Sequence, residues 1–250
     1  MSRYRAFAIH FAISFAIFLG LSWVVLYVWY PGFFFQTDGG WEGMRIIIAV
    51  DLVLGPLLTL IVFKAGKPGL KFDLSAIAFT QAIALAAGLY IVHDERPLGM
   101  VYVDGIFYTV SRDDYTEVGM QLPDFDVFPG PYPKWIEVAL PDDPFEQSDI
   151  RVQMLREKRP LRLMAERYQP FDPQRLKAKD AVEAAELTSR EESTGLLTKW
   201  VHEHGGSAAD YRFYPFGARY KYVYLAFAAQ PERPLGLLEI TSPYVPTAPG

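Results

Sequence analysis

The 250-residue chain has no cysteine. That excludes disulfides, thiol nucleophiles and cysteine-ligated zinc. It has no asparagine either, so no glycosylation sequon exists. Histidine is scarce, with four in the chain. Their one cluster, His202-Glu203-His204, has its histidines two apart. A zinc-binding HExxH helix needs them four apart on one face, and here they diverge by about 200°. The cluster reads as a solvated helix end. No GxSxG elbow, P-loop or dinucleotide fingerprint occurs. Net charge is only −5, so no nucleic-acid partner is expected. The aromatic-basic runs YRFYPF and RYKYVYLAF read as amphipathic strands instead. No catalytic constellation, cofactor site or metal site emerges, and no enzyme is expected.

What is present is unevenly spread. Residues 1–92 hold six Lys/Arg and four Asp/Glu; residues 93–250 hold eighteen and twenty-five. The first part contains three apolar runs, Phe7–Tyr30, Met44–Phe63 and Leu74–Val92. About 20 apolar residues cross a ~30 Å hydrocarbon core. The first run is too long for the apolar part of a signal peptide, and no small-x-small cleavage site follows it. The expected organisation is a three-helix transmembrane module over 1–92. An α+β domain over 93–250 follows, with antiparallel strands around central helices and a loose tail at 241–250.

Short-loop charge predicts the orientation. Arg3 and Arg5 precede the first run, and Lys64, Lys67 and Lys71 lie in the second loop. The first loop, PGFFFQTDGGWEG, has no Lys or Arg. Positive charge stays cytoplasmic, which places the N-terminus inside and residues 93–250 outside. Trp29, Tyr30, Trp41 and Tyr90 then fall at the outer interface, where amphipathic rings prefer to sit.

Two features of the module invite a functional reading. Ala8, Ala12, Ala16 and Gly20 recur every fourth residue in the first run. Ala78, Ala82 and Ala86 do so in the third, with Ala84 and Gly88 beside them. Small residues at this spacing form a groove through which another helix approaches closely. The groove packs either the module's own helices or a partner's helix. The second feature is AVDLVLGPLLTLIVFK, which puts Asp51 and the Gly55-Pro56 pair inside an apolar run. A carboxylate at mid-depth costs about 2.5–3.5 kcal/mol on insertion scales and so faces protein. The hydroxyls of Tyr27 and Tyr90, or interfacial water, are its expected partners. Pro56 cannot donate to the Leu52 carbonyl, which needs another donor. Asp51, Gly55 and Pro56 either lock the bundle or shape a cleft for a partner. His10 is expected to be structural.

In the second part, MVYV-DG-IFYTV reads as a hairpin around Asp104-Gly105. A strand is expected over Trp135–Leu140, and the proline-rich PDFDVFPGPYP resists regular structure. Ser148–Tyr168 reads as a helix kinked at Pro160. A second helix is expected from Asp172-Pro173 to His204, breaking near Gly195 and ended by Gly205-Gly206. YRFYPF, RYKYVYLAFAA and LGLLEI read as three strands, the last pair turned by Pro231-Glu232-Arg233-Pro234. The doublets Asp113-Asp114 and Asp142-Asp143 read as solvated loop acids rather than half of a calcium site. The basic stretch Arg151–Lys179 reads as a solvated helical face.

The segment YPGFFFQTDGGWEGMRIIIAVDLVLGPLLTLIVFKAGKPGLKFDLSAIAFTQ, with RPLGMVYVDGIFYTV after it, resembles the TfpX/TfpZ family of type IV pilin accessory proteins. The resemblance covers roughly residues 1–110, and VDLVLGPLLTLIVF is its most specific part. It implies a bacterial inner-membrane protein that helps a cognate major pilin accumulate and enter the pilus, in a chaperone-like way. The expected partners are that pilin and the lipid bilayer, with homo-oligomerisation also open. The expected pilin contacts are Ala8, Ala12, Ala16, Gly20, Asp51, Gly55 and Pro56, with the outer domain touching the pilin head. The competing classes are a membrane-anchored periplasmic sensor or regulatory domain, and a membrane-anchored envelope enzyme.

Overall fold

The computed structural model of the chain describes residues 2–188, 191–228 and 234–244. It divides into two compact units, Met1–Arg96 and Pro97–Gly250.

The first unit is helical. Helix α1 (Arg3–Val24) continues as a π-helical turn over Val25–Trp29. A short α2 (Phe34–Thr37) follows. Helix α3 (Gly40–Ile47) runs through a π-helical stretch, Ile48–Leu54, into α4 (Gly55–Val62). Helix α5 spans Leu70–Asp94. Three continuous helices, Arg3–Trp29, Gly40–Val62 and Leu70–Asp94, are thus long and apolar enough to cross a membrane. The second and third begin four residues before the apolar runs, because Gly40, Glu42 and Lys71 extend the same helices outward. Much of their surface points away from the unit's interior, as expected where the neighbour is lipid.

The second unit is built on a mixed seven-stranded sheet. Its strands are β1 (Gly99–Val103), β2 (Ile106–Val110), β3 (Lys134–Val138), β4 (Tyr168–Pro170), β5 (Tyr211–Gly217), β6 (Tyr222–Ala228) and β7 (Pro234–Leu238). Their spatial order is β4-β3-β1-β2-β5-β6-β7. The β1–β2 hairpin turns at Asp104-Gly105, both at positive φ (56° and 83°), as the two-residue hairpin turn requires. The antiparallel expectation fails at two joints, where β1–β3 and β2–β5 are parallel. Both joins cross from one hairpin to another segment, a long-range choice that periodicity along one strand cannot reveal.

Helix α6 (Arg112–Glu117), α7 (Pro144–Glu157), α8 (Ala184–Leu187) and α9 (Glu191–His204) complete the unit. One sheet face packs beneath helices. Val101, Val110 and Ile136 meet Tyr115 of α6 and Ile150 of α7, while Phe213, Tyr224 and Leu238 meet Leu187 of α8 and Leu197 and Trp200 of α9. The other face carries an aromatic layer. The Phe107 ring lies 4.8–6.0 Å, centroid to centroid, from those of Tyr102, Trp135, Phe171, Tyr214 and Phe227.

Several local expectations change. The helix expected over Ser148–Tyr168 ends at Glu157, with Lys158 left-handed (φ 52°) as its cap. Pro160 lies beyond it, and the chain then turns into β4. The helix expected from Asp172 breaks into short turns and the single-turn α8, and a longer helix forms only from Glu191. Its early part crosses the aromatic face, held where Tyr214 Oη donates to Lys177 O (3.4 Å) and Tyr102 Oη to Asp180 (3.1 Å). Tertiary contact thus overrides its helix propensity. Gly195 does not interrupt α9, and Gly205-Gly206, both at positive φ, end it. Of the turn expected at Pro231–Pro234 only Pro234 is described; residues 245–250 of the expected tail are also outside the described set.

One acid of each doublet caps a helix. Asp114 accepts from Ser111 N–H (2.8 Å) and Asp143 from Phe145 N–H (2.8 Å). The basic stretch does not lie on one solvated face. Arg151 pairs with Asp104, Arg159 with Glu166, Arg162 with Asp114 and Arg175 with Glu137.

Candidate functional site within the helical unit

The inner seam of the helical unit is polar at its middle. Ser14 lies 11 residues from the start of its helix at Arg3, Asp51 11 from Gly40 and Gln81 11 from Leu70. At 1.5 Å per residue all three sit about 17 Å along their helices. They meet there. Ser14 Oγ donates to Asp51 Oδ1 (3.2 Å), and the Gln81 amide also donates to Asp51 Oδ1. The same amide lies 3.3 Å from Ser14 Oγ. On the far side of Gln81, His10 Nε2 approaches Gln81 Oε1 at 3.0 Å, and His10 Nδ1 lies 2.6 Å from Thr59 Oγ1. With the Gln81 amide nitrogen turned to the carboxylate, its oxygen faces His10. Nε2 must then carry a proton.

Asp51 therefore does not reach Tyr27 or Tyr90. It is 2% exposed, whereas those tyrosines are 68% and 69% exposed. Helix rotation decides this: Ser14 and Gln81 lie on the faces that meet Asp51, and the tyrosines lie on outward faces. Asp51 Oδ2 has no hydrogen-bond partner among the described residues.

The π-helical stretch alters the proline's role too. Gly55 N–H bonds to Val50 O, five residues back. In that register the missing Pro56 donor leaves the Asp51 carbonyl unserved, not that of Leu52. Gln81 Nε2 donates to Asp51 O at 3.3 Å. Gly55 makes this approach possible, because a Cβ there would stand 2.1 Å from Gln81 Oε1. One glutamine thus donates to both a carboxylate oxygen and the backbone carbonyl of Asp51.

The expected contact residues separate into two groups. Asp51, Gly55 and Pro56 are buried in the seam. Ala8, Ala12, Ala16 and Gly20 are exposed on the opposite side of α1, whose buried positions include Ala6, Ser14 and Val25. A Cβ on Gly20 would meet nothing within 4 Å. Beside this row run stacked rings, Phe7–Phe11 and Phe11–Phe15 at 6.1 Å and Phe15–Phe18 at 6.4 Å. Ala78, Ala82 and Ala86 of α5 are exposed as well. The unit's own packing uses none of these rows. Sequence reasoning took His10 as structural, which its place in the seam agrees with, and passed over Ser14, Thr59 and Gln81. Their signal was present, since each is a polar residue within or beside a run that lipid would surround.

The sheet unit has a cavity of about 560 Å³ lined by Tyr102, Glu137, Gln169, Arg175, Lys177 and Asp180 among others. Its buried groups are mutually satisfied. Glu137 accepts from Arg175 (2.6 Å) and from Gln169. Burial, with Asp180 beside it, pushes the Tyr102 phenol well above its ordinary range. His204 Nδ1 donates to Trp200 O (2.8 Å) and stacks on that ring. Among the described residues no group of three His, Asp or Glu could hold a metal ion.

Over 126 residues, 48% of its length, the chain is 33% identical to the fimbrial assembly protein of serogroup E1 of Dichelobacter nodosus and 32% identical to that of serogroup I. Over 109 residues it is 33% identical to the fimbrial assembly protein of serogroups C1 and C2, of which the match covers 82%. The chain belongs to this fimbrial assembly family. It spans about half the length of the serogroup E1 and I relatives (49% of each). No protein-family model and no solved structure matches it. In this member of the family, the two groups of expected contact residues have different surroundings, one sealed and one open.

Proposed function

We propose that the chain is a bacterial inner-membrane accessory protein that binds a cognate major type IV pilin and supports its stability and assembly into the pilus. It acts in a chaperone-like way, by binding and not by catalysis. Its N-terminus is cytoplasmic and its sheet unit periplasmic, on the loop-charge argument. Its similarity to fimbrial assembly proteins supports an assembly role.

One observation carries the reading. The Ala8–Ala12–Ala16–Gly20 row is exposed along a helix long and apolar enough to span a membrane, and the unit's own helices do not use it. In lipid no hydrophobic force drives helices together, so association depends on close packing at small residues. The stacked phenylalanines form a ridge beside the groove. A pilin's apolar helix fits such a surface, and the periplasmic unit contacts the head of the same pilin. Asp51, Gly55 and Pro56 act by holding α1 in place from behind.

The test is Ala12→Leu with Ala16→Leu. Pilin level and pilus number are expected to fall while the accessory protein itself accumulates normally. Unchanged piliation with normal accumulation would sink the assignment of this face.

A further inference from the structure

Helix α7 of the sheet unit packs thinly. Of its 14 residues only Ile150 is buried, with Gln147, Arg151 and Met154 half-buried. At about 100° per residue, Gln147, Ile150 and Met154 share one side. The opposite side carries Phe145, Val152 and Leu155, which are 83%, 50% and 71% exposed. A helix held only by its own domain needs a single apolar stripe. The second stripe is left open to solvent.

The charges along α7 indicate what covers it. Asp142, Asp143, Glu146 and Asp149 surround its first half; Arg151, Arg156, Lys158 and Arg159 follow, against the single acid Glu157. Asp149 and Arg156 border the exposed stripe on the same edge, seven residues and about 10 Å apart. Among the described residues neither takes part in an ion pair. We infer that α7 pairs with α7 of a second copy of this chain, antiparallel, about a two-fold axis between Val152 and Gln153. In that register Asp149 of each copy faces Arg156 of the other. The Val152 side chains meet near the axis, and the acidic first turn of each helix lies along the basic last turn of its partner. Such self-complementarity is what a two-fold interface requires. A helix pair this short falls below the ~1,200 Å² of a stable stand-alone dimer and so belongs with transient contacts.

The absence of cysteine makes the test clean, because one introduced thiol is the only thiol. In cells producing the full chain, Val152→Cys is expected to give a disulfide-linked homodimer on mild oxidation. Glu146→Cys, exposed on the same helix but about a quarter-turn or more away, should give at least fivefold less. In the Val152→Cys background, Asp149→Arg or Arg156→Asp alone should cut crosslinking at least threefold, and the two together should restore it. Restoration separates self-pairing from any other occupant, since a pilin or a bilayer would not change its charge to match. The inference is overturned by equal crosslinking at 146 and 152, by no homodimer at 152, by a crosslink to a different protein instead, or by a double reversal that fails to restore. All these positions are solvent-facing, so unchanged thermal unfolding checks that each variant is folded.

Discussion

The two units hold together by different means. At the middle of the helical unit the contacts are a carboxylate, an amide, a hydroxyl and a glycine that lets them approach. At the middle of the sheet unit Phe107, fully buried, lies among five other aromatic rings. Their surroundings explain the difference. In water, burying a ring is favourable by itself. In the proposed bilayer an apolar side chain gains little by turning inward, and specificity falls to close packing and hydrogen bonds. Phe11 and Phe15 therefore face outward on α1, and Phe107 faces inward on β2.

The sharpest way to break the comparison is Phe107→Ala. It should cost about 3–5 kcal/mol, as large-to-small aromatic changes in a tight core do. Protease resistance of the sheet unit should collapse while the long helices persist in circular dichroism. Loss of both signals together would mean that the units are not independent. Next is Asp51→Leu, which takes the shared carboxylate acceptor from the Ser14 hydroxyl and from the Gln81 amide, the amide keeping only its backbone carbonyl acceptor at position 51. At about 1–3 kcal/mol for each buried orphan, it should lower the thermal stability of the detergent-solubilised protein clearly more than Asp51→Asn does. Equal losses would mean that the carboxylate's charge, not its hydrogen bonds, holds the seam.

Alkaline pH should weaken the sheet unit specifically. Burial raises the Tyr115 and Tyr168 phenols above their ordinary value of 10.0, with their mutual hydrogen bond beside them. Their neutral form is favoured in the fold, so above pH 10 the native state binds more protons than the unfolded one. Stability is fully present below pH 10 and falls as pH rises beyond it, by up to about 1.4 kcal/mol per pH unit for each phenol. Tyrosinate absorbance should accordingly show these two ionising only with unfolding. The smallest effect expected is that of Gly55→Ala, about 1 kcal/mol from displacing the Gln81 amide. In a Gln81→Ala background that cost should disappear, since the pair is directly coupled.

Much of the architecture was legible along the chain. The three long helices, the Asp104-Gly105 hairpin, the end of α9 and the final strands all follow from local signals of length, turn chemistry and alternation. The polar seam was legible only in part. Asp51 announced itself as an acid in an apolar run, but its partners depend on how three helices are rotated. A four-residue shift in a helix start and a π-helical stretch are enough to exchange Tyr27 and Tyr90 for Ser14 and Gln81. The row on α1 could be seen as a groove, yet not as an outward one.

By itself, then, the amino-acid order determined which segments are apolar enough for lipid, which carry turns, and where a carboxylate interrupts grease. These are short-range properties, set by composition and period within a few residues. Only the tertiary structure decided that the sheet is mixed, that Gln81 serves both a carboxylate oxygen and the backbone carbonyl of Asp51, and that α1 and α7 each carry a second, exposed face. Those outcomes depend on contacts between residues far apart in the chain, and no local pattern encodes the rotation of one helix against another.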